Sequence, residues 1–215
     1  MNPRLGYILM FSGDKRKLKA VVENASTFTA QSGVMVQGSS DVTATYCSSS
    51  VTSLGNILVT HLIGGQASIP PGNYRYYISG TYSGNKRTGY WEIQVLPKDL
   101  SLITEYTPED YEPFIEEVTK YEGDNFDKAF TPGVTGISAA TGVFQIDATD
   151  KTSTYCSSSA TVNAAGDAVT THNIGSVTTI PAADYGYFLT LTYDNAETVA
   201  TWFYRVKVLP KQSII

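Results

Sequence analysis

The sequence predicts an all-β protein made of two tandem β-sandwich domains. Three observations carry that expectation. The first is an internal repeat: Ile69–Lys98, reading IPPGNYRYYISGTYSGNKRTGYWEIQVLPK, returns as Ile180–Lys211, reading IPAADYGYFLTLTYDNAETVATWFYRVKVLPK. The second is strict two-residue alternation inside each copy. Tyr74, Tyr76, Ile78, Gly80 and Tyr82 share one face of the first copy, and Tyr185, Tyr187, Leu189, Leu191 and Tyr193 share one face of the second. Alternating aromatic and β-branched residues mark a half-buried strand. The third is composition. The 215 residues include 15 tyrosines, with 42% hydrophobic and only 16% charged residues, a balance that suits antiparallel sheet and still fills a core.

Each tyrosine run leads into a polar turn, Ser83-Gly84-Asn85-Lys86 or Asp194-Asn195-Ala196-Glu197, and then into a returning run. Trp91, Ile93 and Val95 alternate in one return and Tyr204, Val206 and Val208 in the other, so each copy is a long β-hairpin. Both close on Val-Leu-Pro-Lys, where proline removes a ladder donor and ends the strand. Tyr74, Tyr76 and Trp91 are the expected core of the first domain, and Tyr185, Tyr187 and Tyr204 that of the second.

The repeat extends back beyond the hairpin. Thr43-Ala44-Thr45-Tyr46-Cys47-Ser48-Ser49-Ser50 recurs as Thr152-Ser153-Thr154-Tyr155-Cys156-Ser157-Ser158-Ser159, and Gly33-Val34 as Gly142-Val143. His61-Leu62-Ile63-Gly64 matches His172-Asn173-Ile174-Gly175, and Gly13-Asp14 matches Gly123-Asp124. The spacing between copies grows from 109 residues at the cysteines (47 and 156) to 113 at the final motif (95 and 208), with the gains in polar loop stretches. A unit this long is a sandwich domain rather than a solenoid repeat. In the first unit strands are predicted near Leu18–Val22, Val34–Gln37, Val42–Cys47, Ile57–Leu62, Tyr74–Tyr82 and Tyr90–Val95, with Tyr7–Phe11 as a candidate edge. In the second they are predicted near Phe126–Phe130, Val143–Ile146, Thr152–Cys156, Ala168–His172, Tyr185–Tyr193 and Thr201–Val208.

The predicted organisation is a sandwich over 1–98 with an N-terminal arm, an acidic linker over 99–120, and a second sandwich over 121–215. The linker holds the one helical signal. Thr107 is a candidate N-cap, Pro108 suits the first turn, and Glu109 and Asp110 suit the positive helix end. Tyr111, Ile115 and Val118 then share a face up to Lys120, with Pro113 inside the pattern as a potential break.

Several function classes find little support. The formal net charge of −5 argues against a general nucleic-acid binder. No stretch is long enough to span a membrane. Leu5–Phe11 is short for a signal peptide's apolar region and lacks a small-residue cleavage site after it, so it reads as folded structure or an arm, in a chain made and kept in a cytoplasm or assembled into a particle there. Cys47 and Cys156, the only cysteines, sit one per domain and are expected to be buried free thiols rather than a disulfide. His61 and His172 lack a metal-ligand cluster around them and are expected to be hydrogen-bonded strand residues. The serine triplets follow no nucleophile pattern and read as turns. No phosphate-cradling loop occurs, and neither a metal nor a cofactor is expected. Tyr77 and Phe188 fall on the face opposite the core set, where exposed aromatics could stack on sugars, although Trp91 and Trp202 are not equivalent positions; packing and interfaces are the favoured reading.

Gly72-Asn73-Tyr74-Arg75-Tyr76 resembles the tyrosine corner of immunoglobulin-like sandwiches, with Tyr76 where antibody domains carry cysteine. Ala183-Asp184-Tyr185-Gly186-Tyr187 lacks the glycine. The second unit resembles a domain of tailed-phage structural proteins, the immunoglobulin-like N-terminal domain of phage upper baseplate proteins. The residues that carry this are Tyr121-Glu122-Gly123-Asp124-Asn125-Phe126, Thr141-Gly142-Val143-Phe144-Gln145-Ile146 and Val208-Leu209-Pro210. The first unit is similar through Phe11-Ser12-Gly13-Asp14, Pro71-Gly72-Asn73-Tyr74 and Val95-Leu96-Pro97, and departs at Lys15-Arg16-Lys17.

The resemblance implies a non-enzymatic virion structural protein of a tailed bacteriophage, in the tail, baseplate, neck or capsid decoration, partnered by other virion proteins and by copies of itself. A carbohydrate-binding or host-adhesion module, with a host-surface glycan as partner, is the alternative. The apolar segment holding Leu5, Tyr7, Ile8, Leu9 and Phe11 looks extra to the repeat, because the acidic linker stands in its place before Gly123. Left open it would be a hazardous edge. It is expected to act in assembly, by adding to a neighbouring subunit's sheet, or else to lie on its own sandwich as an edge strand.

Overall fold

A computed structural model describes residues 3–21, 28–82, 84–99, 114–132, 135–193 and 198–211. The chain divides into two compact units, Met1–Pro97 with Glu197–Val199, and Lys98–Ala196 with Ala200–Ile215.

The first unit holds β1 (Arg4–Phe11), β2 (Lys19–Val21), β3 (Thr29–Gln37), β4 (Ser40–Asp41), the helical turn α1 (Thr43–Tyr46), β5 (Cys47–Ser48), β6 (Thr52–Leu54), β7 (Ile57–Val59), β8 (Leu62–Ile63), β9 (Gly72–Tyr82) and β10 (Asn85–Leu96). One sheet has the order β1-β10-β9-β3-β4, and a second has β2-β7-β6, with β5 paired to β8. β1 runs parallel to β10, whereas β10–β9 and β9–β3 are antiparallel.

The second unit repeats this element for element: β11 (Phe114–Tyr121), β12 (Ala129–Phe130), β13 (Ile137–Ile146), β14 (Thr149–Asp150), α2 (Thr152–Tyr155), β15 (Cys156–Ser157), β16 (Thr161–Val162), β17 (Val169–Thr170), β18 (Asn173–Ile174), β19 (Ala183–Tyr193) and β20 (Val199–Leu209). Its sheets are β11-β20-β19-β13-β14, β12-β17-β16 and β15-β18. The registers match as well: Cys47 faces Ile63 and Cys156 faces Ile174, while Trp91 faces Tyr76 across the hairpin. A parallel first-to-last pair, a central hairpin and a facing three-stranded sheet make each unit an immunoglobulin-like sandwich.

The alternation read from the sequence places the cores correctly. Tyr74, Tyr76, Ile78, Trp91, Ile93 and Val95 are buried in one cluster with Met35, Cys47 and Leu58. Tyr185, Tyr187, Leu189, Leu191, Tyr204, Val206 and Val208 are buried in the other with Phe144, Cys156 and Ile174. Both cysteines are free and buried, and burial pushes each thiol up to about 12.

Four expectations change. The helix over Thr107–Lys120 is not formed in its described part: Phe114–Tyr121 is strand β11, parallel to β20. An isolated helix of that length is marginal, whereas β20 supplies lateral hydrogen bonds. Residues 107–113 lie outside the described residues. The linker drawn as 99–120 therefore gives its last residues to the second sandwich.

The segment before Gly13 is not extra to the repeat, since β1 and β11 are counterparts, each parallel to the last strand of its sheet. Of the two fates weighed for Leu5, Tyr7, Ile8, Leu9 and Phe11, the structure has the edge strand on its own sandwich, with Ile8 and Met10 against the core.

Of Val42–Cys47 and Thr152–Cys156, only the cysteines enter strands, as the first residues of β5 and β15. Thr43–Tyr46 and Thr152–Tyr155 coil into single helical turns. The Asp41 carboxylate accepts the Thr43 N–H at 2.9 Å and the Asp150 carboxylate the Thr152 N–H at 2.8 Å, a local capture that competes with strand pairing. Finally, strand pairing around Phe126–Phe130 is confined to Ala129–Phe130 and a bridge from Phe126 to Ile174.

Candidate functional site

The repeated motifs converge on one buried arrangement in each unit. Tyr76 projects inward from β9 and its hydroxyl lies 2.6 Å from His61 Nδ1, while the His61 backbone N–H donates to the same oxygen at 3.1 Å. Tyr187 meets His172 at 2.6 Å and 3.2 Å in the same way. With the backbone N–H on one lone pair of the hydroxyl, we take its single proton as directed at Nδ1, the ring atom 2.6 Å away. This assigns Nδ1 as acceptor and places the imidazole proton on Nε2.

Glycine makes the approach feasible. A Cβ at Gly33 would collide with the Tyr76 hydroxyl, and one at Gly142 with the Tyr187 hydroxyl and the His172 ring. This is the physical content of the repeated Gly-Val pair. One residue before each histidine, Thr60 accepts the Leu18 N–H at 2.9 Å and Thr171 the Lys128 N–H at 3.0 Å. These threonines carry the β2–β7 and β12–β17 pairings one step further, up to the histidine segment.

Electrostatics keep the groups neutral. Burial raises both tyrosine hydroxyls far above their usual range. Burial also lowers both imidazoles, with the Asp150 charge opposing the shift at His172. A neutral Tyr–His pair bonded to backbone braces the fold.

The other repeated motifs are likewise structural. Tyr74 donates to the Pro70 carbonyl at 2.9 Å and Tyr185 to the Pro181 carbonyl at 3.0 Å, so a tyrosine corner forms in both copies, with or without the glycine. The middle serines of the triplets, Ser49 and Ser158, adopt φ of 62° and 60°. Their hydroxyls accept the Leu62 and Asn173 N–H groups, at 3.1 Å and 3.3 Å. Asp14 and Asp124 close the Gly-Asp turns by accepting the N–H groups of Phe11 and Tyr121. Among the described residues no three His, Cys, Asp or Glu side chains gather as a metal site would require. No helix among them is long and apolar enough to cross a membrane.

The outward face of the first hairpin sheet is a different environment. A groove of about 380 Å³ crosses it, lined by Tyr7 of β1, Glu92 of β10, Asn73 and Arg75 of β9, Val36 of β3 and Gly38 of the turn after it. Arg4 Nη2 lies 3.1 Å from one Glu92 carboxylate oxygen, and Arg75 Nη2 lies 3.9 Å from the other. The Tyr7 hydroxyl donates to Gln94, and the Arg4 guanidinium lies 6.0 Å from the Tyr7 ring centre. Tyr77 and Tyr90 pack beside the groove with ring centres 5.5 Å apart, and Arg75 lies 5.9 Å from the Tyr90 ring.

Of the residues singled out from sequence, Tyr7 lines this groove, and so does Tyr74, which is otherwise buried in the core. Alternation puts Arg75 and Glu92 outward, but nothing local shows that β1 brings Arg4 and Tyr7 beside them. On the second unit the counterparts Phe188 and Phe203 are buried, with ring centres 4.9 Å apart.

No known protein family model matches the sequence, and no curated protein matches it. Among solved structures it is similar to tandem immunoglobulin domains. The titin z1z2 domains in complex with telethonin are 13% identical over 98% of this chain and 95% of that one, with a TM-score of 0.29. A chimeric titin Z1Z2 carrying a decorin peptide is 12% identical, with a TM-score of 0.33, over 97% of this chain and 95% of that one. The chain spans 65% of the I-band fragment I67–I69 of titin, at 7% identity and a TM-score of 0.29, with 99% of this chain covered. At these scores the fold assignment rests on the strand order and registers described above.

Proposed function

We propose that the chain is a non-enzymatic structural protein that acts by docking and assembly, as a virion component of a tailed bacteriophage in the tail, baseplate, neck or capsid-decorating layer. The observation that carries this reading is that the residues repeated in both units brace the fold from within. Tyr76, His61 and Gly33, like Tyr187, His172 and Gly142, hold backbone to backbone. Two rigid modules built this way leave edge strands, loops and outer faces as the working surface. The phage assignment is supported by the run of motifs from Tyr121 through Thr141–Ile146 to Val208-Leu209-Pro210. Its partners under this reading are other virion proteins and copies of the chain in a symmetric particle, and its location is the virion, assembled in the host cytoplasm.

Immunogold labelling of purified particles with antibodies raised against the purified chain tests this directly. Gold at one fixed position on the particle is the expected result. A chain abundant in the infected-cell lysate but absent from banded particles would overturn the reading.

A further inference from the structure

We propose that the groove on the outward face of the first sheet binds a short neutral saccharide, with Tyr7, Asn73, Arg75 and Glu92 as the contacting side chains. The inference goes beyond the assembly reading and does not depend on it.

Size is the first argument. The groove volume of about 380 Å³ lies in the range of ligand clefts, and it is framed mainly by four strands of one sheet, with Gly38 of one turn at its end. The chemistry of the lining is the second. Glu92 is held between two guanidinium groups, which fixes its carboxylate as an acceptor while leaving lone pairs to spare. Arg75 is a donor whose side chain is 57% exposed, and the Asn73 amide both donates and accepts. Tyr7 is 47% exposed and its hydroxyl is anchored on Gln94, so the ring is held in place at the groove wall. A sugar ring matches this set because its hydroxyls donate and accept at once, while its C–H face can lie on an aromatic ring. An anion suits the groove less well: it would meet the Glu92 carboxylate between the two arginines.

The second unit supplies an internal comparison. The paired registers Tyr7 with Glu92 and Glu117 with Arg205 show which residues correspond. Glu117 stands for Tyr7, Arg205 for Glu92, Gly186 for Arg75 and Gln145 for Val36. There Arg205 Nη1 lies 3.7 Å from the Glu117 carboxylate, so the acid and the aromatic wall exchange for a base and an acid, and the Arg75 guanidinium gives way to glycine. The groove chemistry therefore belongs to the first copy alone, although the two units share their internal frame.

The test uses the full chain and titrates cellobiose, maltose, lactose and N,N′-diacetylchitobiose, followed by calorimetry and by NMR of the amides around Asn73 and Glu92. Saturable binding of at least one is expected, weakened roughly tenfold by Tyr7→Ala and by Glu92→Gln. Arg205→Gln in the second unit should leave affinity unchanged. Asn73→Ala, at an exposed position, serves as a further variant if Tyr7→Ala perturbs the edge strand. The proposal is overturned if none of the four sugars binds, or if binding survives Glu92→Gln and Asn73→Ala together. Concentration-dependent self-association abolished by Tyr7→Ala, without sugar binding, would also overturn it and make the groove a protein-docking surface. Particle labelling is read separately, so failure here leaves the assembly reading standing.

Discussion

Tyr76 and Tyr187 meet their histidines with the same pair of contacts, 2.6 Å and 3.1 Å in one unit and 2.6 Å and 3.2 Å in the other. One residue earlier on the same strands, Arg75 and Gly186 have nothing in common. The inward positions are coupled. Glycine makes room for the hydroxyl, the hydroxyl satisfies the imidazole and the backbone, and altering one strands the others. Outward positions differ more freely, as where Tyr77 and Tyr90 of the first unit give way to the buried pair Phe188 and Phe203 of the second. Some inward positions also differ, and the ring contacts differ with them. Met35 and Trp91 of the first core correspond to Phe144 and Tyr204 of the second. Trp91 tilts against Tyr76 at 6.3 Å, whereas Tyr204 stacks on Tyr187 and Phe144 on Tyr185, both at 4.9 Å.

The largest expected effect comes from removing a strand. Deleting residues 2–10 should unfold the first sandwich, because Ile8 and Met10 pack on its core and β1 caps the sheet. Amide exchange resolved by unit reports it, with the second unit keeping its protection. A truncated chain whose first unit stays protected would return the segment to the role of a detachable arm.

Trp91→Ala should cost about 3–5 kcal/mol in the first unit, read from denaturant midpoints. A loss under about 1 kcal/mol would mean that Trp91 does not fill the core. Gly142→Ala comes next, at about 3 kcal/mol, from overpacking the Tyr187 ring and parting it from His172. Gly33→Ala should behave alike. A neutral outcome in either would show that the Tyr–His pair tolerates displacement.

Two tyrosines of one stack sharpen the comparison further. Tyr187→Phe should cost about 1–3 kcal/mol, since it strands the His172 N–H and Nδ1. The buried Tyr204 hydroxyl has no partner of good hydrogen-bond geometry, although the Thr171 hydroxyl lies near enough to favour its ionised form in the manner of a weak hydrogen bond. Geometry is the stricter guide, so Tyr204→Phe should be neutral or stabilising. A clear loss would show that the contact with Thr171 is a true hydrogen bond.

The smallest effect concerns pH. His61 and His172 are held below the usual histidine value near 6.5, mainly by burial. The unfolded chain therefore takes up protons first as pH falls. Their contribution to stability is complete above about pH 6.5 and is lost as pH drops through the lowered folded values. Urea midpoints measured between neutral and mildly acid pH should fall in the wild type. His61→Gln and His172→Gln together should flatten that slope, and an unchanged slope would mean that other groups carry it.

What local sequence determined is what has a local signature. Alternation at Tyr74–Tyr82 and Tyr185–Tyr193 follows from the two-residue period of a strand, and it named the buried faces and the core residues. The repeat of Gly33, Cys47 and His61 at Gly142, Cys156 and His172 revealed two copies of one unit, because coupled interior positions cannot drift separately. Tertiary structure alone decided the rest. β1 finds β10, and β11 finds β20, across most of a domain's length, and a parallel pairing leaves no turn between its strands to read. For that reason Phe114–Tyr121 carried a helical pattern yet became a strand, once a neighbour could supply its hydrogen bonds. The same long-range pairing sets Arg4 and Tyr7 beside Glu92, so the outward groove was invisible until the sheet was closed.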